Sequence, residues 1–274
     1  MTYTTILLEK GDGVATLVLN RPDRLNAINQ TMLREIDWAL DEVEADPDIR
    51  AVVVTGAGSA FSSGFDLKEQ MEKRPSGVAQ WRALLRNDFD PVIRFWRLSK
   101  PTIAAVNGHC LAGACELALA CDITVASEKA VFGEPELKFG AGIVVMILPW
   151  IVGPKIAKEI ILTGEDRIPA DRALQIGMVN RVVPADRLLE EAQRTARHIA
   201  AIDPNLVRQT KRAINRAFEI MGMGEALEAA LDIDLQIEGE GSPDKQEFME
   251  IARARGLRAA IAWRDGRFPG GSGQ

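Results

Sequence analysis

Short runs of consecutive apolar residues, each closed by a turn and followed by a helical pattern, constrain the fold of this chain most. The runs Ala51–Thr55, Thr102–Val106 and Ile123–Ala126 have the length and composition of buried strands. Gly77–Leu98 and Leu111–Cys121, which lie between them, have the composition and length of helices. Strands and helices that alternate in this way predict an α/β fold.

The two ends of the chain depart from this alternation. Ile6–Glu9 and Val14–Leu19 flank the turn Gly11-Asp12-Gly13, which predicts a β-hairpin. An amphipathic helix is predicted from Thr31. Beyond about residue 185 the pattern is helical throughout. The four helices predicted there are Leu188–Ala201, Asn205–Met221, Gly224–Glu238 and Asp244–Trp263.

These patterns predict three parts of the chain. Residues 1–190 form an α/β core, residues 191–267 form a helical C-terminal region, and residues 268–274 form a disordered tail.

Composition excludes several classes of function. The 274 residues are 47% apolar and 26% charged, which is ordinary for a globular protein with a sizeable core. A net charge of −6 argues against a nucleic-acid partner, and the chain has no apolar run long enough for a membrane span. Cys110, Cys115 and Cys121 match neither a disulfide framework nor a zinc site. With no secretory signal at the N-terminus, these residues predict reduced thiols in a cytoplasmic protein.

Three common catalytic patterns are missing from the sequence. Gly56-x-Gly58 follows a strand, but Phe61 occupies the third glycine position of a dinucleotide-binding loop. The phosphate-binding pattern GxxxxGK[ST] is absent. His109 and His198 are the only histidines, and neither accompanies a serine motif of a catalytic triad. Local structure is the simpler interpretation of His109, and His198 is predicted to be solvated.

An acidic residue lies in the apolar segment that opens the predicted helix after Asn107. Gly113 is at or near the helix start, where the first backbone N–H groups lack an intrahelical partner and favour an anion. Three residues later, Glu116 is surrounded by alanine, cysteine and leucine. A carboxylate in such surroundings is unusual, because burying an unpaired charge is very costly. The alternative is that Glu116 caps the N-terminus of its own helix.

A second acidic site follows in the segment 132–136, which reads FGEPE. Glu134 or Glu136 is a candidate for a first-turn glutamate of a helix with proline at its start, which is a structural role. Two carboxylates in one cleft would instead have separated pKa values and would serve as an acid and a base. The residues alone leave the choice between Glu134 and Glu136 open.

Taken together, these segments resemble the enoyl-CoA hydratase/isomerase family, also called the crotonase family. The resemblance extends in order from the N-terminal hairpin to about Val183 and continues less sharply through the helical region. The stretches that carry it are Asn20–Ala27 (NRPDRLNA), Gly58–Glu69 (GSAFSSGFDLKE), Lys100–Cys121 (KPTIAAVNGHCLAGACELALAC), Asp122–Glu136 (DITVASEKAVFGEPE) and Leu162–Val183 (LTGEDRIPADRALQIGMVNRVV).

The resemblance implies an α/β fold in which repeated ββα units form a superhelix. It also implies that the C-terminal helical region mediates trimerisation, so that the protein is a homotrimer or a dimer of trimers. Its substrate would be an acyl-CoA thioester, with no metal and no cofactor beyond the coenzyme A of the substrate.

The same resemblance implies roles for individual residues. Glu116 and Glu136 would be the catalytic pair, and the backbone N–H groups of Phe65 and Gly113 would form an oxyanion hole. The coenzyme A and substrate contacts would come from Leu25, Ala27, Phe65, Asp66, Leu67, Lys68 and Gly113.

Two departures from the family pattern bear on the substrate. Family hydratases carry a glycine-rich loop after the second glutamate, whereas Lys138–Trp150 is shorter by about three residues and more apolar. Phe65 replaces the small residue that usually precedes Asp66, so its ring must find room. Val144 occupies the position at which dienoyl-CoA isomerases have an aspartate, which argues against that activity.

The resulting hypothesis is an enoyl-CoA hydratase that adds water across the 2,3 double bond of a 2-enoyl-CoA. The alternatives are another crotonase-type enzyme (an enoyl-CoA isomerase, a cyclic dienoyl-CoA hydratase or a decarboxylase) and a non-catalytic CoA-binding relative. Retention of both glutamates favours hydration.

Overall fold

The computed structural model describes residues 2–73 and 75–268. Residues 269–274, most of the predicted disordered tail, lie outside the described residues. The described part contains ten strands and twelve α-helices. The strands are β1 (Ile6–Gly11), β2 (Val14–Leu19), β3 (Ala51–Gly56), β4 (Ala60–Ser62), β5 (Thr102–Val106), β6 (His109–Leu111), β7 (Ile123–Ser127), β8 (Val131–Gly133), β9 (Ile168–Pro169) and β10 (Arg181–Val183). The helices are α1 (Gln30–Ala45), α2 (Leu67–Lys73), α3 (Gly77–Arg97), α4 (Gly113–Ala120), α5 (Leu148–Val152), α6 (Pro154–Thr163), α7 (Ala170–Gln175), α8 (Leu188–Ala200), α9 (Pro204–Ile220), α10 (Met223–Glu240), α11 (Pro243–Arg255) and α12 (Leu257–Gly266).

The apolar runs form the centre of a six-stranded sheet with the order β1-β2-β3-β5-β7-β10. From β2 to β10 neighbouring strands are parallel, and β1 pairs antiparallel with β2. On one face Val52 and Val54 join the main core, and on the other Val53 and Ile103 pack against Ala192 of α8. Because both faces are covered, the central strands are predominantly apolar on both faces.

The predicted N-terminal hairpin is confirmed. Its turn contains Asp12 at φ 52° and Gly13 at φ 75°. Positive φ at both central residues is the geometry of a tight hairpin turn whose twist matches that of its strands, and glycine and aspartate tolerate it best.

A second sheet, with the order β4-β6-β8-β9, was not predicted. Its strands have two or three residues each, too few for periodicity to reveal them. They follow the strands of the first sheet in turn: β4 follows β3, β6 follows β5, and β8 follows β7. Helices complete these units, so the predicted superhelix of ββα units is confirmed.

The structure corrects two predicted helices. Leu111–Cys121 was predicted as one helix, but α4 begins at Gly113 because His109–Leu111 forms β6. Asp244–Trp263 was also predicted as one helix, whereas the structure contains α11 and α12 separated by Gly256 at φ 86°. A residue in that conformation ends a helix, and glycine adopts it without steric cost.

The C-terminal helices pack against the core of their own chain. Helix α10 packs along α3, and α11 and α12 contact the short 3₁₀ helix Glu136–Phe139. The rings of Phe139 and Phe248 are 5.4 Å apart between centroids. The helical region therefore covers the segment that begins with Glu136. Among the described helices, none has both the length and the apolar character needed to cross a membrane.

Candidate active site

Two backbone segments meet where α4 begins. Gly113 is the first residue of α4, so its N–H has no acceptor within the helix. On the other segment, Ile28 donates its N–H to Gly64 (2.8 Å) and accepts the N–H of Asp66 (2.9 Å). In this parallel bridge the N–H of Phe65, between them, is directed away from Ile28.

Gly64 brings these two segments into contact. A Cβ built on Gly64 would lie 2.8 Å from the carbonyl oxygen of Leu111 and 3.5 Å from the amide nitrogen of Gly113. Gly64 also has φ 91°, a conformation that side chains disfavour. Glycine is therefore required here for both reasons, and the two predicted oxyanion-hole residues lie in adjacent segments.

The ring of Phe65 lies directly over Gly113. A Cβ on Gly113 would lie 2.3 Å from Cε2 and 2.7 Å from Cζ of that ring. The sequence indicated that the ring must find room, and the structure places it in the space left by the missing side chain of Gly113.

Glu116 is buried in α4, all eight residues of which are buried. Its Oε1 accepts a hydrogen bond from the backbone N–H of Val145 at 3.0 Å. Its Oε2 has no partner among the described residues. The alternative in which Glu116 caps its own helix is therefore wrong, because the carboxylate is bound by the apolar loop after the second acidic site.

Glu136 is buried at the start of the 3₁₀ helix that follows Pro135, and one of its oxygens also has no partner in the described chain. Glu136 is therefore the first-turn glutamate of a helix that follows a proline, as the sequence suggested, and this position also places its carboxylate next to Glu116. Glu134 is buried just before Pro135, and neither of its oxygens has a partner among the described residues. Oxygens of Glu116, Glu134 and Glu136 all lie within 4.8 Å of one another.

Burial raises the pKa of all three carboxyls. Burial is the main reason that the pKa of Glu136 rises to about 8. A hydrogen bond from the backbone N–H of Glu136 lowers this pKa, and the charge of Asp234 raises it. The pKa of Glu116 is raised well above its usual value by burial and then by the charge of Glu136. The pKa of Glu134 is raised by burial, by Cys115 and by the other two glutamates. Closely spaced acids that share protons are suited to acid–base catalysis.

A model of the enoyl-CoA hydratase/isomerase family matches residues 9–247 of the chain. The chain belongs to this family. It is 39% identical over 257 residues to a short-chain-enoyl-CoA hydratase of Clostridium acetobutylicum, covering 91% of this chain and 94% of that protein. It is 40% identical over 228 residues to a probable enoyl-CoA hydratase of Mycobacterium tuberculosis, covering 80% and 84%.

A crystal structure of an enoyl-CoA hydratase/isomerase from Xanthobacter autotrophicus Py2 superposes with a TM-score of 0.97. Its sequence is 70% identical to this chain, and the match covers 98% of this chain and 100% of that one. The fold predicted from the family resemblance is thereby confirmed.

The residues expected to contact coenzyme A in this family lie in two loops joined by hydrogen bonds. Arg21 donates to the carbonyl of Ala27 and to the carboxylate of Asp66, the latter at 2.9 Å. The carbonyl of Leu25 accepts the N–H of Ser63 at 3.0 Å. Asp66 also accepts the N–H groups of Lys68 and Glu69, so it caps α2 and holds this pair of loops together.

The side chains after Asp66 diverge. Lys68 is exposed, whereas Leu67 packs against the apolar cluster formed by Phe139 and residues of α11 and α12. Leu67 thus links the predicted coenzyme A loop to the C-terminal helices. His109 and His198 are both exposed, and nothing in their positions supports a triad.

Two buried acids near the site were missed at the sequence level. Asp234 of α10 influences the pKa of Glu116 and of Glu136, and Asp88 of α3 influences that of Glu116. Burial raises the pKa of Asp88 to about 8. Both lie in amphipathic helices where an acid usually faces solvent, so only their burial distinguishes them.

Proposed function

We propose that this chain is an enoyl-CoA hydratase, which adds water reversibly across the 2,3 double bond of a 2-enoyl-CoA thioester. The observation that carries the proposal is the buried pair Glu116 and Glu136 beside the contact between the Phe65 segment and the first residue of α4. The relative from Clostridium acetobutylicum is named for this activity.

The backbone N–H groups of Phe65 and Gly113 are proposed to bind the thioester oxygen. Attack of water at C3 moves charge onto that oxygen, and each donor that is already in place contributes about 3 kcal/mol to the transition state. The dipole of α4 adds partial positive charge at Gly113.

Glu116 and Glu136 are proposed to transfer the protons. One carboxylate accepts a proton from water as the water oxygen bonds to C3. The other, a neutral carboxylic acid, donates its proton to C2 as the enolate collapses. Water loses one proton and C2 gains one, so the pair returns to its starting charge. Burial supports the role of the acid because it raises the pKa of both carboxyls, so that one keeps its proton after the other has lost it. The scheme requires no metal and no redox cofactor.

Hydration is expected to depend on pH with a rising limb near pH 8. Burial raises the pKa of Glu136 to about 8 and that of Glu116 well above normal, so the carboxylate that acts as the base forms only as the pH rises toward this range. Raising the pH removes one proton and creates the base, and loss of the second proton gives a falling limb. The measurement is kcat/KM against pH, and a rising limb near the ordinary pKa of glutamate would contradict the assignment.

We also expect prolonged dialysis against EDTA to leave hydration unchanged. Glu116, Glu134 and Glu136 have the spacing of a possible cation site. Their raised pKa values favour protons over a metal ion, because each ligand must first lose its proton. Activity lost to EDTA and restored by Mg²⁺ or Mn²⁺ would show that these residues hold a metal ion.

The test of the proposed function is a panel of thioesters, namely saturated, 2-enoyl, 3-enoyl and cyclic dienoyl. Loss of conjugated absorbance with 2-enoyl substrates alone supports hydration. A gain of conjugation with 3-enoyl substrates would support an isomerase, and binding without turnover would support a non-catalytic CoA-binding protein.

We further propose that the protein is a homotrimer or a dimer of trimers. Several large apolar residues of α9 are exposed in the single chain, which is typical of a surface covered by another subunit. They include Leu206, Ile214 and Ile220, and Met221, directly after the helix, is exposed as well. Sedimentation equilibrium measures the state directly.

A further inference from the structure

Asp234 is a buried acid that the packing of its own chain leaves unsatisfied. It lies in α10 with 2% of its surface exposed, and neither carboxylate oxygen has a hydrogen-bond partner among the described residues. A buried carboxylate without hydrogen bonds is costly, and folded proteins rarely retain one unless a ligand uses it. Asp234 has no place in the proposed transfer of protons.

The loop that binds Glu116 also passes over Asp234. Val145 donates its N–H to Glu116, while a Cβ on Gly142 would lie 1.9 Å from Oδ1 of Asp234. Gly142 also donates its N–H to Glu238 at 3.3 Å. Three residues span at most about 10 Å, so the loop contacts both Asp234 and Glu116 within that length of backbone.

Among the described residues, the groups around Asp234 are mainly acidic, and the cation Lys245 is already bound to Glu238. Asp88 is buried on α3, accepts a hydrogen bond from Gln30 at 2.5 Å and is within electrostatic range of Asp234. Lys245 also faces Asp234, but its ammonium group bonds Glu238 and lies 4.7 Å from the centre of the Trp81 ring. An anionic acyl group would be repelled here, whereas a hydrogen-bond donor would satisfy Asp234.

We propose that Asp234 forms the polar end of the acyl-binding site and accepts a hydrogen bond from a hydroxyl group on the acyl chain. The preferred substrates would then be 2-enoyl-CoA thioesters with a hydroxyl group beyond the double bond. This inference rests on the proposed function for its substrate class. It also accounts for Gly142, since any side chain there would displace the carboxylate of Asp234.

The experiment compares ω-hydroxy-2-enoyl-CoA thioesters of graded chain length with the unsubstituted thioester of each length. The unsubstituted protein is expected to favour the ω-hydroxy thioester by at least about tenfold in kcat/KM at the optimal chain length. The unsubstituted thioester cannot donate a hydrogen bond to the buried carboxylate of Asp234. Asp234→Leu, which has no acceptor, is expected to bring this ratio to one or below. Asp234→Asn, which replaces the charged acceptor by a neutral amide oxygen, is expected to lower the ratio.

The matched control is Asp232→Asn, on the same helix. Asp232 is exposed and faces Arg82 at 3.5 Å, so its substitution should leave the ratio unchanged. If Asp234→Leu does not fold, Asp234→Asn, which keeps the shape of the side chain, decides the question.

Binding is measured in parallel with saturated ω-hydroxyacyl-CoA and acyl-CoA by calorimetry. A binding preference that depends on Asp234 supports the inference even if the protein hydrates nothing, in which case only the proposed function fails. Hydration of both members of a pair with equal kcat/KM, or a preference that survives both Asp234 variants, overturns the inference and leaves the hydratase intact. Failure to bind either saturated thioester overturns both.

Discussion

Glu136→Gln is expected to lower kcat for hydration of a 2-enoyl-CoA by about two to four orders of magnitude, with coenzyme A binding nearly intact. Glutamine has almost the same shape as glutamate but can neither accept a proton from water nor return one. The loops predicted to contact coenzyme A are joined through Arg21 and Asp66 and do not depend on this side chain. Stopped-flow absorbance measures kcat, and calorimetry with a saturated acyl-CoA measures binding.

Two further variants define what this result means. Glu128→Gln is the control, because Glu128 is exposed just after β7 and should keep parental activity. Glu116→Gln should show a loss of similar size, and the double variant should lose much less than the product of the two, since the pair acts as a unit. Parental turnover by Glu136→Gln would show that Glu136 is not catalytic.

Gly113→Ala is expected to lower kcat/KM by about a hundred- to a thousandfold, the loss typical of one missing oxyanion-hole donor. The variant keeps the N–H of residue 113, but the new Cβ would lie 2.3 Å from the ring of Phe65. The ring can only move away from α4, and this movement shifts the backbone that carries the second N–H.

Phe65→Ala tests this explanation by removing the ring and keeping its backbone N–H. The double variant Phe65→Ala/Gly113→Ala should recover most of the activity that Gly113→Ala loses. Full activity in Gly113→Ala alone would mean that the contact of ring and glycine does not matter for hydration. Equal losses in the single and double variants would place the effect in α4 rather than in the ring.

Much of the first sheet is predictable because its signals are local. β3, β5 and β7 are short, predominantly apolar runs, and burial on both faces favours that composition. The second sheet is not predictable from periodicity, because strands of two or three residues are defined by partners far away in the chain. The prediction of a single helix over 244–263 was wrong at Gly256. Only the backbone conformation of this glycine shows that the helix ends there, and the sequence does not reveal that conformation.

Residues of the candidate site were predictable from the sequence only where their polarity differs from that of their neighbours in the chain. Glu116 is conspicuous because it is an acid among apolar neighbours, and the family resemblance paired it with Glu136. The residues alone left Glu134 as an alternative to Glu136 and the family resemblance gave it no catalytic role, yet one of its carboxylate oxygens lies within 4.8 Å of those of Glu116 and Glu136. Asp234 and Asp88 lie in helices with ordinary amphipathic patterns and became candidates only once α10 was seen to pack along α3.

The sequence by itself determined the alternation of strands and helices and, through ordered motifs, the family. The ββα fold and the candidate pair Glu116 and Glu136 followed from that family resemblance. Tertiary structure alone decided what those glutamates contact. The bond from Val145 to Glu116, the ring of Phe65 over Gly113 and the burial of Asp234 all join distant segments. The pKa of a carboxyl and the shape of an acyl site depend on such long-range contacts, since both are set by what excludes water around them.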